Sequence, residues 1–376
     1  MSASRVSRKR ARTASEHLED DQPQNVDDGE IKGKLAGDEP QDVEVESLPL
    51  IRDADFWLDD GTVILVAGNV EFRVYGGILA HHSPVLKGLF SRPETTRLLT
   101  FNGHDQSAMS CPVVHLSDSP EDIRELLRAY MPRDAASMYH PEVPSFDAVS
   151  ASIRLGHKYE IVSLYDQSLE FLRRHFPSNF DDFGQFDQWV PAGWDMEEAI
   201  GVVNLASLIG EHLLLPVALL VCTTLGDHIV RGYERANGTQ EHLTIDDQAL
   251  VIKARMEIRK ARVAALFSTL CPSPAKTCKT VSDCRSALRK AVYSLHSTID
   301  DWLGDKDDPF NTYQEYIKGR KLELCHVCEV MVNARADAES QKLWNRLPLL
   351  LGIQVPGWPG GAPAPPEETG PAQRIR

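Results

Sequence analysis

Four cysteines in the last third of the chain are the residues best able to do chemistry. Cys278 and Cys284 stand in a polar loop and at the start of an expected helix, for which Ser282 is the expected cap. Cys325 and Cys328 stand on a later expected helix, where a separation of three puts both thiols on one face. Two thiols from a loop and helix start, facing two from another helix, can form a tetrahedral Zn²⁺ site. The helix N-terminus would also favour the thiolate of Cys284. His326 is directed away from that face. The plainer reading, and the default, is core packing: cysteine behaves as a small buried hydrophobe, and Leu322, Cys325, Cys328 and Val332 continue as one stripe. The expectation is therefore no cofactor, with a structural zinc as the alternative.

Other chemistry finds little support. The chain has no G-x-S-x-G elbow, H-E-x-x-H, G-x-x-x-x-G-K-[ST] or G-x-G-x-x-G. Its 13 histidines are scattered without cysteine or carboxylate neighbours at motif spacing, and His81-His82 reads as solvent-exposed between two short helices. An enzyme is not expected. A net charge of −15 over 376 residues argues against holding nucleic acid by phosphate neutralisation, and no groove-reading motif is present. Against that acidic balance, Arg8, Lys9, Arg10 and Arg12 form a compact basic cluster, which reads as a nuclear-import signal and so predicts a nuclear location. The most apolar stretch, Leu213 to Leu225, is interrupted by Pro216 and falls short of the ~18 residues a membrane span needs. The polar N-terminus has no secretory core, so the chain is expected to be intracellular, with its seven cysteines as free thiols or metal ligands.

The elements that must position these residues follow from periodicity. Residues 1–47 have few apolar side chains and no periodicity and are expected to be disordered, basic first and then acidic. Val63 to Val66, a turn at Gly68-Asn69, and the alternating Val70, Phe72 and Val74 predict an antiparallel hairpin. Two short helices follow, the second capped by Ser83 with Pro84 in its first turn. Ser91 to Ser110 reads as a loop, Pro112 to Leu116 as a strand, and Ser117 to Met131 as a helix with Ile123, Leu126, Leu127 and Tyr130 on its apolar stripe. Pro132 to Pro144 reads as a loop, and two helices, 145–159 and 163–176, close the first domain. Residues 177–194 are expected to be a linker. Residues 195–353 are expected to form an all-helical domain with segments near 195–210, 212–236, 245–270, 282–303 and 311–347, and residues 354–376 a Pro/Gly-rich tail.

Asp60-Gly61, Phe72-Arg73-Val74, Ile78-Leu79-Ala80, Ser83-Pro84-Val85 and Leu89-Phe90 resemble the signature of BTB/POZ domains. So do the stretches Cys111 to Asp122 and Leu155 to Ile161. Together with Trp344-Asn345-Arg346-Leu347-Pro348 and Gly357-Trp358, they are similar to fungal BTB-domain proteins. The likeness departs at Tyr75-Gly76, where the family usually has His-Arg. It implies an α+β BTB/POZ domain over residues 48–176. It also implies a protein-binding role, with a homodimer or another BTB chain as partner. Some members recruit a cullin scaffold as ubiquitin-ligase adaptors through an apolar residue followed two positions later by an acid. Ile123 and Glu125 fit that form, which is the alternative function.

Overall fold

Gly68 turns the chain at φ +54°, a conformation that costs glycine least. The strands on either side, β2 (Val63–Ala67) and β3 (Val70–Val74), pair antiparallel with Leu65 opposite Phe72. The computed structural model describes residues 49–93, 95–100, 108–132, 143–185, 188–235, 237–295, 310 and 322–360. Among them it shows a small mixed sheet and many helices. The basic cluster at Arg8, Lys9, Arg10 and Arg12 and most of both expected tails lie outside the described residues.

Strand β1 (Ile51–Trp57) runs parallel to β3. After α1 (Gly76–His82) and α2 (Pro84–Ser91) come β4 (Thr95–Thr100) and β5 (Ala108–Leu116), giving the sheet order β1-β3-β2-β5-β4. One expectation is corrected here. The stretch from Ser91 to Ser110 is not wholly a loop, because Thr95 to Thr100 pairs antiparallel with Ala108 to Val113; its β-branched threonines suit an edge strand. Both faces of the hairpin are covered. Glu71 and Arg73 are buried along with Phe72, and Arg97 of β4 reaches Glu71 at 2.7 Å while Arg73 Nε donates to the Gly61 carbonyl at 3.1 Å.

Caps act where the residue types suggest. Ser83 Oγ accepts from Leu86 N–H at 2.9 Å and donates to the Tyr159 carbonyl at 2.6 Å, tying α2 to a distant turn. Ser119 caps α3 (Pro120–Tyr130), and Ser145 caps α4 (Phe146–Lys158). With α5 (Val162–His175), these helices cover one sheet face over Leu65, Phe72, Leu126 and Leu155.

Helices α4 and α5 also belong to the next region. Their Phe146, Ile153, Leu172 and Phe176 share one core with α7 (Ala199–Ile209), α8 (Leu215–Cys222), α10 (Ile245–Thr269), α12 (His326–Asn345) and α13 (Leu347–Leu351). All the described residues fall in one compact unit. The expected linker is therefore corrected: it holds α6 (Phe180–Phe183) and buries Val190 and Trp194 in that core, whose Nε1 donates to the Pro144 carbonyl at 2.8 Å. The tail begins later than residue 354, because Val355 and Trp358 are buried and Trp358 Nε1 donates to the Trp344 carbonyl at 3.0 Å. Nor is the second region all-helical. After α9 (His228–Arg231), β6 (Tyr233–Glu234) and β7 (Gln240–Glu241) form a small ribbon. No described helix is long and apolar enough to cross a membrane.

Candidate metal centre

The chain leaves α10 at Leu270, turns through residues 271–280 and enters α11 (Val281–Leu295). Cys278 sits in that turn, where its N–H bonds the Ala275 carbonyl at 3.0 Å. Cys284 lies in the first turn of α11, its N–H bonded to the Thr280 carbonyl at 3.0 Å. The helix starts one residue before Ser282, so Ser282 is not its cap. Cys325 caps α12 with an extended backbone (φ −68°, ψ 154°), and Cys328 lies in that helix's first turn. The spacing of three therefore brings the two thiols together through a cap turn, not along one helical face.

The four sulfurs lie within 4.8 Å of one another. Cys278 Sγ and Cys325 Sγ are 3.7 Å apart, too far for a disulfide. That separation matches the roughly 3.8 Å edge of a tetrahedron whose metal–sulfur bonds are ~2.3 Å. Cys278, Cys284 and Cys328 are buried, and Cys325 is partly so. Leu324 and Ala275 pack around them.

The polar surroundings favour sulfur as an acceptor. Cys325 N–H points at Cys284 Sγ at 3.4 Å, and Ala275 N–H points at Cys328 Sγ at 3.5 Å. Thr280 Oγ1 is 3.4 Å from Cys284 Sγ. The backbone N–H of Cys328, with help from the neighbouring thiols, pulls Cys325 down to about 6. Burial pushes Cys328 up to about 12. A cation placed among four converging sulfurs would favour their thiolate forms. The remaining cysteines stand apart: Cys111 and Cys222 are buried elsewhere, and Cys271 is exposed.

The other expected site residues fare differently. Ile123 is fully buried beneath the sheet and Glu125 pairs with Arg128 on the same helix, so the apolar half of the expected cullin contact is not presented to a partner. This corrects that reading: the amphipathic stripe that singles out Ile123 also turns it inward. His82 stacks on Tyr130 at 4.5 Å.

A second polar cluster was not legible in sequence. Arg235, 2% exposed, reaches out of the β6–β7 ribbon to Asp147 of α4 at 2.6 Å, Glu241 at 3.5 Å and Asp122 of α3 at 3.8 Å. Arg154 and Asn204 complete the contacts of Glu241 at 2.8 and 2.7 Å. Burial opposes the charge of Arg235, but its hydrogen bond to Asp147 and the surrounding carboxylates hold its pKa above the usual value. No protein-family model matches the chain, and no curated protein or solved structure does either.

Proposed function

We propose that this chain is a non-catalytic protein-interaction protein of BTB/POZ type, self-associating through its sheet region, with a structural zinc ion at Cys278, Cys284, Cys325 and Cys328. The observation that carries the proposal furthest is the four-sulfur cluster: cysteines from two distant segments converge within bonding reach of one ion, with backbone N–H groups aimed at the sulfurs. Four thiols around one ion leave no open position, which suits a structural metal rather than a catalytic one.

The interaction role is supported by the layout. A hairpin, two short helices, a strand, a capped helix and a helix pair occur in the order the resemblance implies. Among the described residues, the two outer strands are each paired on one side only, and Ile51 on β1 and Leu98 on β4 are exposed there. An open edge bearing apolar side chains is a place for another chain to dock. The basic cluster Arg8, Lys9, Arg10 and Arg12 is proposed to direct the chain to the nucleus, where it acts through proteins.

Metal analysis of the purified full chain tests the zinc. One equivalent, released by chelator with partial unfolding, is expected. Less than about half an equivalent, with no structural response to chelator, would remove the metal from the reading. Sedimentation of the same protein tests self-association, and a monomer at tens of micromolar would remove the homotypic role.

A further inference from the structure

The longest helix, α10, is apolar on two opposite sides. One side buries Val251, Ala254, Ile258 and Ala265 in the shared core. The other carries Ile245, Ala249, Ile252, Met256, Arg259 and Val263 at alternating intervals of four and three, with Phe267 one further turn along. At roughly 100° per residue these positions fall in a band about 80° wide, facing away from the buried side. Ile245 is 83% exposed, Ile252 56%, Met256 52% and Phe267 45%, while Arg259 and Val263 are half-buried at the edge of the row. A soluble helix needs one apolar side. A second at four-three spacing is the repeat by which two helices pack along a seam.

We propose that this row is a docking seam for the same helix of a second copy, running antiparallel. Charge and size choose the occupant and its direction. A parallel pair would set Arg259 against Arg259, a like-charge contact in the middle of the seam. An antiparallel pair centred near Ala254 sets Ile245 against Val263, Ile252 against Met256 and the long Arg259 against the small Ala249. It also brings Asp246 of one copy near Lys260 of the other, which now bonds only Glu257 of its own helix at 2.8 Å among its described contacts. Each helix thus supplies the complement of itself, as a two-fold contact requires. Phe310 seats on Phe180, Phe183 and Trp344, in the core that the other side of α10 faces, not on the seam. A seam of about three heptads is smaller than a standard interface, so association through it depends on concentration. The proposal is separate from self-association through the sheet region.

The test is site-specific photo-crosslinking in the full chain. A benzophenone amino acid replaces Ile252, and the protein is prepared as a mixture of light and ¹⁵N-labelled copies. Isotopically mixed cross-links from position 252 to the Ile252–Val263 stretch of the other copy are expected, and a Met256→Glu, Val263→Glu double variant should reduce them at least tenfold while leaving the circular dichroism unchanged. Cross-links confined to residues 296–321 or the tails of the same chain overturn the seam. Copies that associate in solution yet give no mixed cross-link at 252 also overturn it, and leave the sheet-mediated contact standing.

Discussion

The two ends of the helical region are held together by different means. Around Trp344, rings supply the cohesion: Phe180, Phe183, Phe310 and Trp358 all lie with centroids 5.1–5.5 Å from its own. The indole N–H of Trp344 is satisfied by the Ser178 carbonyl at 3.1 Å. At the far end, where α10 finishes and α11 meets α12, the apolar cluster is small and aliphatic, centred on Leu266, Leu270, Leu288 and Val332. Beside it stand the four cysteines. With the proposed zinc among them, the contrast gives the four cysteines a role. Where large side chains can bury enough surface, none is needed; where the local core is thin, a cross-link offsets the missing burial.

The largest test of that contrast is to remove the cross-link. Structural zinc contributes on the order of 10 kcal/mol in small domains. Chelation, or Cys284→Ser, is expected to lower Tm by about 10 °C or more. Hydrogen exchange should rise in residues 270–295 and 322–335 and stay slow around Trp344 and in the sheet. Uniform loss of protection would mean that the two ends are not separate in stability, and no loss would mean that the thiols only pack.

The next effect lies where the sheet region meets the helical region. Arg235 is buried among Asp122, Asp147 and Glu241. Arg235→Met removes the cation and leaves those carboxylates without it, an error that costs about 3–5 kcal/mol for a buried pair. Urea unfolding should show this loss, and restoring most of it with Asp147→Asn in the same chain would confirm that stranded charge is the cause. Close by, the ring edge of Phe146 approaches α7 at Gly201. A Cβ there would stand 2.1 Å from Phe146 Cζ and 2.7 Å from the Tyr233 hydroxyl. Gly201→Ala is expected to cost about 1–3 kcal/mol by overpacking, and Phe146→Leu should relieve part of it.

What could be read from residue order divides along the same line. Local signals were legible: Gly68 at the hairpin turn, and Ser83 as a cap with Pro84 in the first turn of its helix. These depend on a few adjacent residues and their backbone preferences. The first strand and β4 were not, because Ile51–Trp57 and Thr95–Thr100 are edge strands with mixed polarity whose pairing is decided by distant neighbours. Cys278, Cys284, Cys325 and Cys328 were legible as candidates, but their spacing fits a core stripe equally well. What the spacing could not give is the convergence of the two segments through a cap turn, which brings the four sulfurs within 4.8 Å of one another. The Arg235 cluster gave no signal at all. Its members are spread from Asp122 to Glu241, and nothing in their spacing distinguishes a buried salt bridge from a solvated face.

The smallest expected effect sharpens the comparison through pH. Glu198 lies beside the Arg235 cluster, and its carboxylate accepts the Asp195 N–H at 3.0 Å. Burial pushes it up to about 7, the Asp195 hydrogen bond opposes this, and the charges of Asp195, Asp147 and Glu197 add to the rise. A carboxyl whose folded pKa exceeds its unfolded value binds more protons folded than unfolded. Between about 4.5 and about 7 its contribution to stability therefore falls as pH rises, and above 7 the full penalty is present. Glu198→Gln keeps an oxygen for the Asp195 N–H and removes the ionisation. The variant should be more stable than the parent at pH 8, with the gap narrowing as pH falls towards 4.5. Glu198 is only half buried, so solvent screening keeps the gain below about 1 kcal/mol. Thermal melts of both proteins across that range would show it. A gap that does not vary with pH would place the strain in the packing of the side chain rather than in its charge. The end that carries the four cysteines should not respond to this substitution, because none of the described contacts of Glu198 reaches it.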